Sequence, residues 1–160
     1  KEWFSTLGEG KSMAWLLKAA SQNIIDAQYL LAQELLSGVR LQKNEDQGMY
    51  WLNKAADGNS SGNITAKLRL AWILATHPNK DIRNGALALS YFNTIDEDHK
   101  DKQSYYRTAA AVYAENADFE KAEKWQKKAL SDAKSLELPL NGLNAELLSY
   151  QNKQAVREVL

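Results

Sequence analysis

A seven-residue segment returns along this chain at nearly constant spacing. Ala14-Trp15-Leu16-Leu17-Lys18-Ala19-Ala20 reappears 36 residues later as Tyr50-Trp51-Leu52-Asn53-Lys54-Ala55-Ala56. A degenerate copy, Ala88-Leu89-Ser90-Tyr91-Phe92-Asn93, follows 38 residues on, and Lys124-Trp125-Gln126-Lys127-Lys128-Ala129-Leu130 comes 36 after that. One unit of this length cannot bury its apolar face alone, whereas stacked units share a continuous core. The spacing therefore predicts a solenoid of helix pairs. Such a chain is suited to recognition by surface and is a poor candidate for a compact catalytic domain.

A second landmark lies between the tryptophan segments. Leu31-Ala32 with Leu35, Leu70-Ala71 with Leu74, and Ala109-Ala110 with Tyr113 recur at intervals of 39 residues. Residues three and four apart share a helical face, so each set makes a narrow apolar strip with one small contact point. The alanine lets a neighbouring helix approach, and the larger side chains fill the volume beside it. Two alternating helix types follow. The first covers 26–37, 65–76 and 103–115; the second covers 45–57, 82–95 and 119–136, with an extra copy at 11–21. Residues 1–10 read as the remnant of an earlier repeat or a short cap.

Breakers fall where this pattern needs them. Gly38 ends one helix, and Gly58 with Gly62 punctuates another. The polar run 59–63 is a turn, with Asn63 or Thr65 capping the next helix. Pro78 forces a boundary because it lacks an amide proton and restricts His77. Residues 95–102 form a charged connector, and Asn116-Ala117-Asp118 is a short turn with Asp118 as N-cap. Pro139 ends the long final repeat helix, after which 141–150 and 154–160 predict one or two closing helices. No stretch alternates over strand length, so the expected fold is all-α. In domain terms, 1–160 is one solenoid domain, with a partial repeat at 1–23, three helix pairs at 24–136 and capping helices at 137–160.

Composition narrows the function classes. Twenty basic residues balance twenty acidic ones, so the overall field gives nucleic acid or an anionic membrane little to bind. No stretch approaches the ~20 apolar residues of a bilayer span, and no direct membrane insertion is expected within this segment. The absence of cysteine excludes disulfides, thiolate metal sites and cysteine nucleophiles. His77 and His99 are the only histidines, and both fall in predicted connectors without a surrounding ligand set. Asp96-Glu97-Asp98 lacks the ligand order of a calcium loop. No phosphate loop, dinucleotide fingerprint or nucleophile elbow is present. The expectation is a non-enzymatic protein without catalytic residues, metal or cofactor. The opening residue, Lys1, reads as that of a processed or excised protein.

The segments around Leu31-Ala32, Gly38-Val39, Asp46, Trp51-Leu52-Asn53-Lys54-Ala55-Ala56 and Gly58 resemble Sel1-like repeats of the tetratricopeptide repeat (TPR) superfamily. Tyr106, Ala109, Ala110, Tyr113, Ala117, Ala122 and Ala129 resemble the ordinary TPR pattern, with Ala110 and Ala117 in place of the more usual glycines. The resemblance covers residues 11–135 and is of bacterial type. It implies antiparallel two-helix units wound into a right-handed α-α superhelix, with the first helix of each pair lining a concave face. It also implies binding of proteins or peptides, and a bacterial periplasmic or envelope setting in preference to the cytoplasm.

Residues beside the packing strip are the candidates for that face. Tyr29 and Gln33 occupy it in the first pair, Trp72 in the second, and Arg107 with Glu115 in the third. Aromatic rings and a guanidinium fork suit peptide recognition. Against this, Trp72 also reads as a ring packed between helices, and Arg107 with Glu115 as a solvated ion pair. Trp15, Trp51 and Trp125 read as structural rings buried between helices. The leading functional expectation is a protein- or peptide-binding scaffold or adaptor. The alternatives are a structural or assembly module that self-associates as a homo-oligomer, or a regulatory domain of a larger bacterial envelope protein.

Overall fold

Helix-forming runs separated by capping residues produce eight helices among the described residues in a computed structural model of the chain. They are α1 (Glu2–Ser21), α2 (Ile25–Ser37), α3 (Glu45–Asp57), α4 (Ile64–Thr76), α5 (Gly85–Phe92), α6 (Lys102–Glu115), α7 (Phe119–Ser135) and α8 (Asn141–Gln151). The structure describes residues 2–57, 63–97 and 101–158, with side chains from residue 12 onward. Among the described residues there is no strand, and the fold is all-α. The chain divides into two compact units, Lys1–Lys67 and Leu68–Leu160, and the division falls inside α4.

In the first unit α1 packs on α2, and α2 on α3. Ala20, Ala27 and Leu31 form a buried centre, against which Leu16, Ala19, Leu35, Leu41 and Trp51 pack. Gly38 stops α2 in the left-handed region, at φ 70°, and its N–H donates to Glu34 O at 3.0 Å. Asn44 then caps α3 by accepting from Gln47 N at 3.0 Å. The return is close: a Cβ at Gly48 would lie 2.7 Å from Leu36 Cγ. Arg40 donates to Glu34, and that bond holds the Glu34 carboxyl below its ordinary range.

The second unit is built around α6. Thr108 to Val112 are all buried, because α5 and α7 pack against this helix. At its C-terminus Ala117 turns left-handed (φ 60°), Asp118 N donates to Tyr113 O and Ala117 N to Ala114 O. These are the two bonds of a Schellman motif. Asp118 immediately caps α7 by accepting from Lys121 N at 3.1 Å, so three residues reverse the chain. Ala122, Ala129 and Ala133 of α7 are fully buried. Tyr106 stacks on Trp125 with ring centroids 5.7 Å apart, and Lys128 Nζ sits 4.2 Å from the Trp125 ring.

Several boundaries differ from the sequence pattern. Helix α1 starts at Glu2 rather than near residue 11, because extending an existing helix avoids the cost of a new nucleus. Helix α5 is shorter than 82–95. Asn84 caps it at Leu87 N, while Arg83 donates to His77 O and Pro78 O and holds the preceding residues in a turn. The expected helix over 154–160 does not form through residue 158. Lys153 is left-handed (φ 57°), and a Schellman motif (Gln154 N to Ser149 O, Lys153 N to Tyr150 O) ends α8 and redirects the chain. Trp15 is 68% exposed rather than buried: α1 meets α2 through Leu16, Ala19 and Ala20, which leaves the indole with Lys18 above it. The expected breakers Gly58 and Gly62, most of the 59–63 turn, Asp98 and His99 lie outside the described residues. Of the two caps predicted for the helix after that turn, Asn63 acts rather than Thr65, accepting from Ala66 N at 3.0 Å.

Two glycines should respond oppositely to alanine. Gly48→Ala should cost about 1–3 kcal/mol through overpacking against Leu36. A Cβ at Gly142 would meet nothing within 4 Å, so Gly142→Ala should gain about 0.4–1 kcal/mol by restricting the unfolded chain. Urea denaturation midpoints check both signs.

Candidate functional site

Three of the five candidate residues lie in the second unit, on α4 and α6. Trp72 is 8% exposed, and the Arg107 guanidinium carbon stands 4.4 Å from its ring centroid. Arg107 Nε donates to both carboxylate oxygens of Glu146 on α8, at 2.8 and 3.0 Å, and Nη2 donates to Oε1 as well. Gln126, fully buried on α7, donates to Glu146 Oε2 and to Leu143 O, each at 2.9 Å. Burial alone would lower the Arg107 pKa, but the hydrogen bond and charge of Glu146 outweigh it and hold the cation above its ordinary range. The result is a planar cation clamped between an indole face and a carboxylate, with its Nη1 edge outside the fork.

Glu115 does not pair with Arg107. The two are eight positions apart on one helix, which is about 12 Å along the axis and too far for direct contact. Its Oε1 instead accepts from Arg83 Nε at 3.0 Å, and its Oε2 forms an ion pair with Arg157 Nη1 at 2.9 Å. Arg157 belongs to the segment without regular secondary structure that follows α8. Within that segment Ala155 and Val156 pack on the buried group Ala110, Ala114, Ala122 and Tyr150. Glu158 N donates to Thr76 O at 2.8 Å, and Glu158 Oε1 accepts from Arg69 Nη1 at 2.8 Å. The segment thus lies along α4 and α6, beside Trp72 and Arg107. The expectation of a closing helix over 154–160 is replaced by this irregular passage.

Tyr29 and Gln33 lie in the first unit, where Gln33 Nε2 donates to the Tyr29 hydroxyl at 3.0 Å. The structure therefore brings together Tyr29 with Gln33, and Trp72 with Arg107. It places Glu115 in a separate cluster of two guanidiniums. His77 is a buried helix-end residue whose Nδ1 accepts from Asn79 N at 3.0 Å. Among the described residues no group of three or more His, Asp or Glu side chains is placed to hold a metal ion, and no helix is long and apolar enough to cross a membrane.

Sequence reasoning missed Glu146, Gln126, Arg69, Arg83 and Glu158. One signal was present: Glu146 follows Arg107 by 39 residues, the interval of the alanine landmark. Among the described residues the fold is all-helical, and its second unit carries a polar group, Arg107 with Glu146, backed by an indole. No family model, curated protein or solved structure matches the chain.

Tyr150 is fully buried, and its hydroxyl has no hydrogen-bond partner among the described residues. Burial pushes its phenol well above the ordinary value of 10.0. A raised phenol contributes stability that is complete below the unfolded pKa and declines as pH rises beyond it. Tyr150→Phe should therefore be neutral or stabilising at pH 7, by up to about 1 kcal/mol. It should also flatten the fall in melting temperature above about pH 10. Melting curves from neutral to alkaline pH check it; a loss of stability at pH 7 would show that the hydroxyl is bonded.

Proposed function

We propose that this chain is a non-enzymatic scaffold or adaptor of TPR and Sel1-like type that binds an extended protein or peptide segment. The observation that carries the reading is the Arg107 guanidinium held over the Trp72 ring by Glu146. A cation fixed in this way loses little rotamer freedom on binding, and its open edge suits a carboxylate or main-chain carbonyl. The absence of a clustered nucleophile, base or metal-ligand set in the sequence agrees with a binding role.

Arg107→Ala tests this better than truncation of Trp72, because the arginine side chain is 45% exposed and the indole is buried. Peptides selected from a random display library on the wild-type chain should bind the Arg107→Ala variant about tenfold or more weakly, equivalent to ~1.4 kcal/mol. Helical content by circular dichroism should be unchanged. Selection of no peptide, or equal affinity for both proteins, would remove the reading.

A second reading, self-association, is favoured by Trp15, which offers a large ring to solvent. Sedimentation across a concentration series separates it from a monomeric adaptor.

A further inference from the structure

The segment after α8 makes the kinds of contact a bound peptide makes. Its backbone donates to α4 at Thr76 O. Two small apolar side chains, Ala155 and Val156, pack on the buried group formed by Ala110 and Ala114 of α6, Ala122 of α7 and Tyr150 of α8. A guanidinium and a carboxylate follow in order, Arg157 to Glu115 and Glu158 to Arg69. Glu158 also adds negative field at Arg107. None of these anchors is a large ring locked into the core, and the Arg157 and Arg69 side chains remain 39% and 35% exposed. The covalent connection supplies the effective concentration that such sparse anchors need.

We propose that residues 155–158 are an intramolecular occupant of a docking face on α4 and α6. The partner is an extended peptide with the same order of chemistry: two small apolar residues, then a basic one, then an acidic one. It binds by displacing the segment, so the segment sets the threshold for binding. The proposal rests on the peptide-docking reading above and adds the occupant and its release. Because the competitor is tethered, apparent affinity equals intrinsic affinity multiplied by the open fraction.

The test uses the full chain and a full-length Arg157→Ala/Glu158→Ala variant, which loosens the segment without altering α4 or α6. The probe is a fluorescein-labelled peptide with the sequence of residues 152–158, read by fluorescence polarisation. The variant should bind it about tenfold more tightly than wild type, and a probe with alanine at its last two positions should lose that gain. Residue-resolved hydrogen exchange provides the second measurement. The Glu158 amide in wild type should exchange through a local opening, well before the buried amides of α6.

The two ideas fail separately. If the Glu158 amide exchanges only with global unfolding, the segment is a permanent strut; displacement is then overturned while peptide docking elsewhere stands. If the segment opens locally, yet the variant shows no saturable binding up to about 1 mM probe, the docking face itself is overturned. Equal affinity of both proteins for the probe also overturns the proposal.

Discussion

Close approach of helices at alanine is the constraint on which the rest of the structure depends. Ala32, Ala71, Ala109 and Ala110 are fully buried, as are Ala55, Ala88, Ala122 and Ala129. An alanine at a contact lets two helix axes come nearer than a larger side chain would allow. It also loses no side-chain entropy on burial. Leu31, Leu52 and Leu70, fully buried as well, supply the transfer energy beside these small contacts. The repeat seen in the sequence is the periodic recurrence of this arrangement.

The candidate site is a consequence of that packing. With alanines buried along α6, larger groups are accommodated beside them: Arg107 against Trp72 in the middle of the helix, and Glu115 between two guanidiniums at its C-terminal end. Ala155 and Val156 pack on the group that includes two of these alanines, Ala110 and Ala114. Charge pairs here have side chains between 12% and 45% exposed, so desolvation offsets much of the attraction within each. Their role is to fix orientation. A fork locked to one carboxylate presents the same face to any incoming chain.

Much of the helical layout was legible because breakers are local chemistry. Gly38, Asp118 and Pro78 act through backbone geometry and capping, which short sequence windows display. Asn23, Ala117, Glu137 and Lys153 adopt positive φ where glycine is usual, yet the ends of α1, α6, α7 and α8 fall within one residue of the sequence reading. Each accepts a strained conformation costing about 1–2 kcal/mol in return for Schellman bonds. The missing helix after α8 was not legible, since Ala155, Val156 and Glu158 fit a helical pattern equally well. The exposure of Trp15 was illegible for a different reason. A residue type specifies what it would gain by burial, and only tertiary packing specifies whether a partner is there. The fork from Arg107 to Glu146 was encoded in the 39-residue register, but a single charge pair does not stand out among forty charged residues.

The most direct measurement compares two alanine-to-leucine substitutions in the second unit by urea denaturation. Ala110 is fully buried on α6, whereas Ala145 is exposed on α8. If close approach at alanine organises the unit, Ala110→Leu should lower stability by about 1–3 kcal/mol through overpacking. Ala145→Leu should stay within about 0.5 kcal/mol of wild type. Equal tolerance of leucine at both positions would contradict the account.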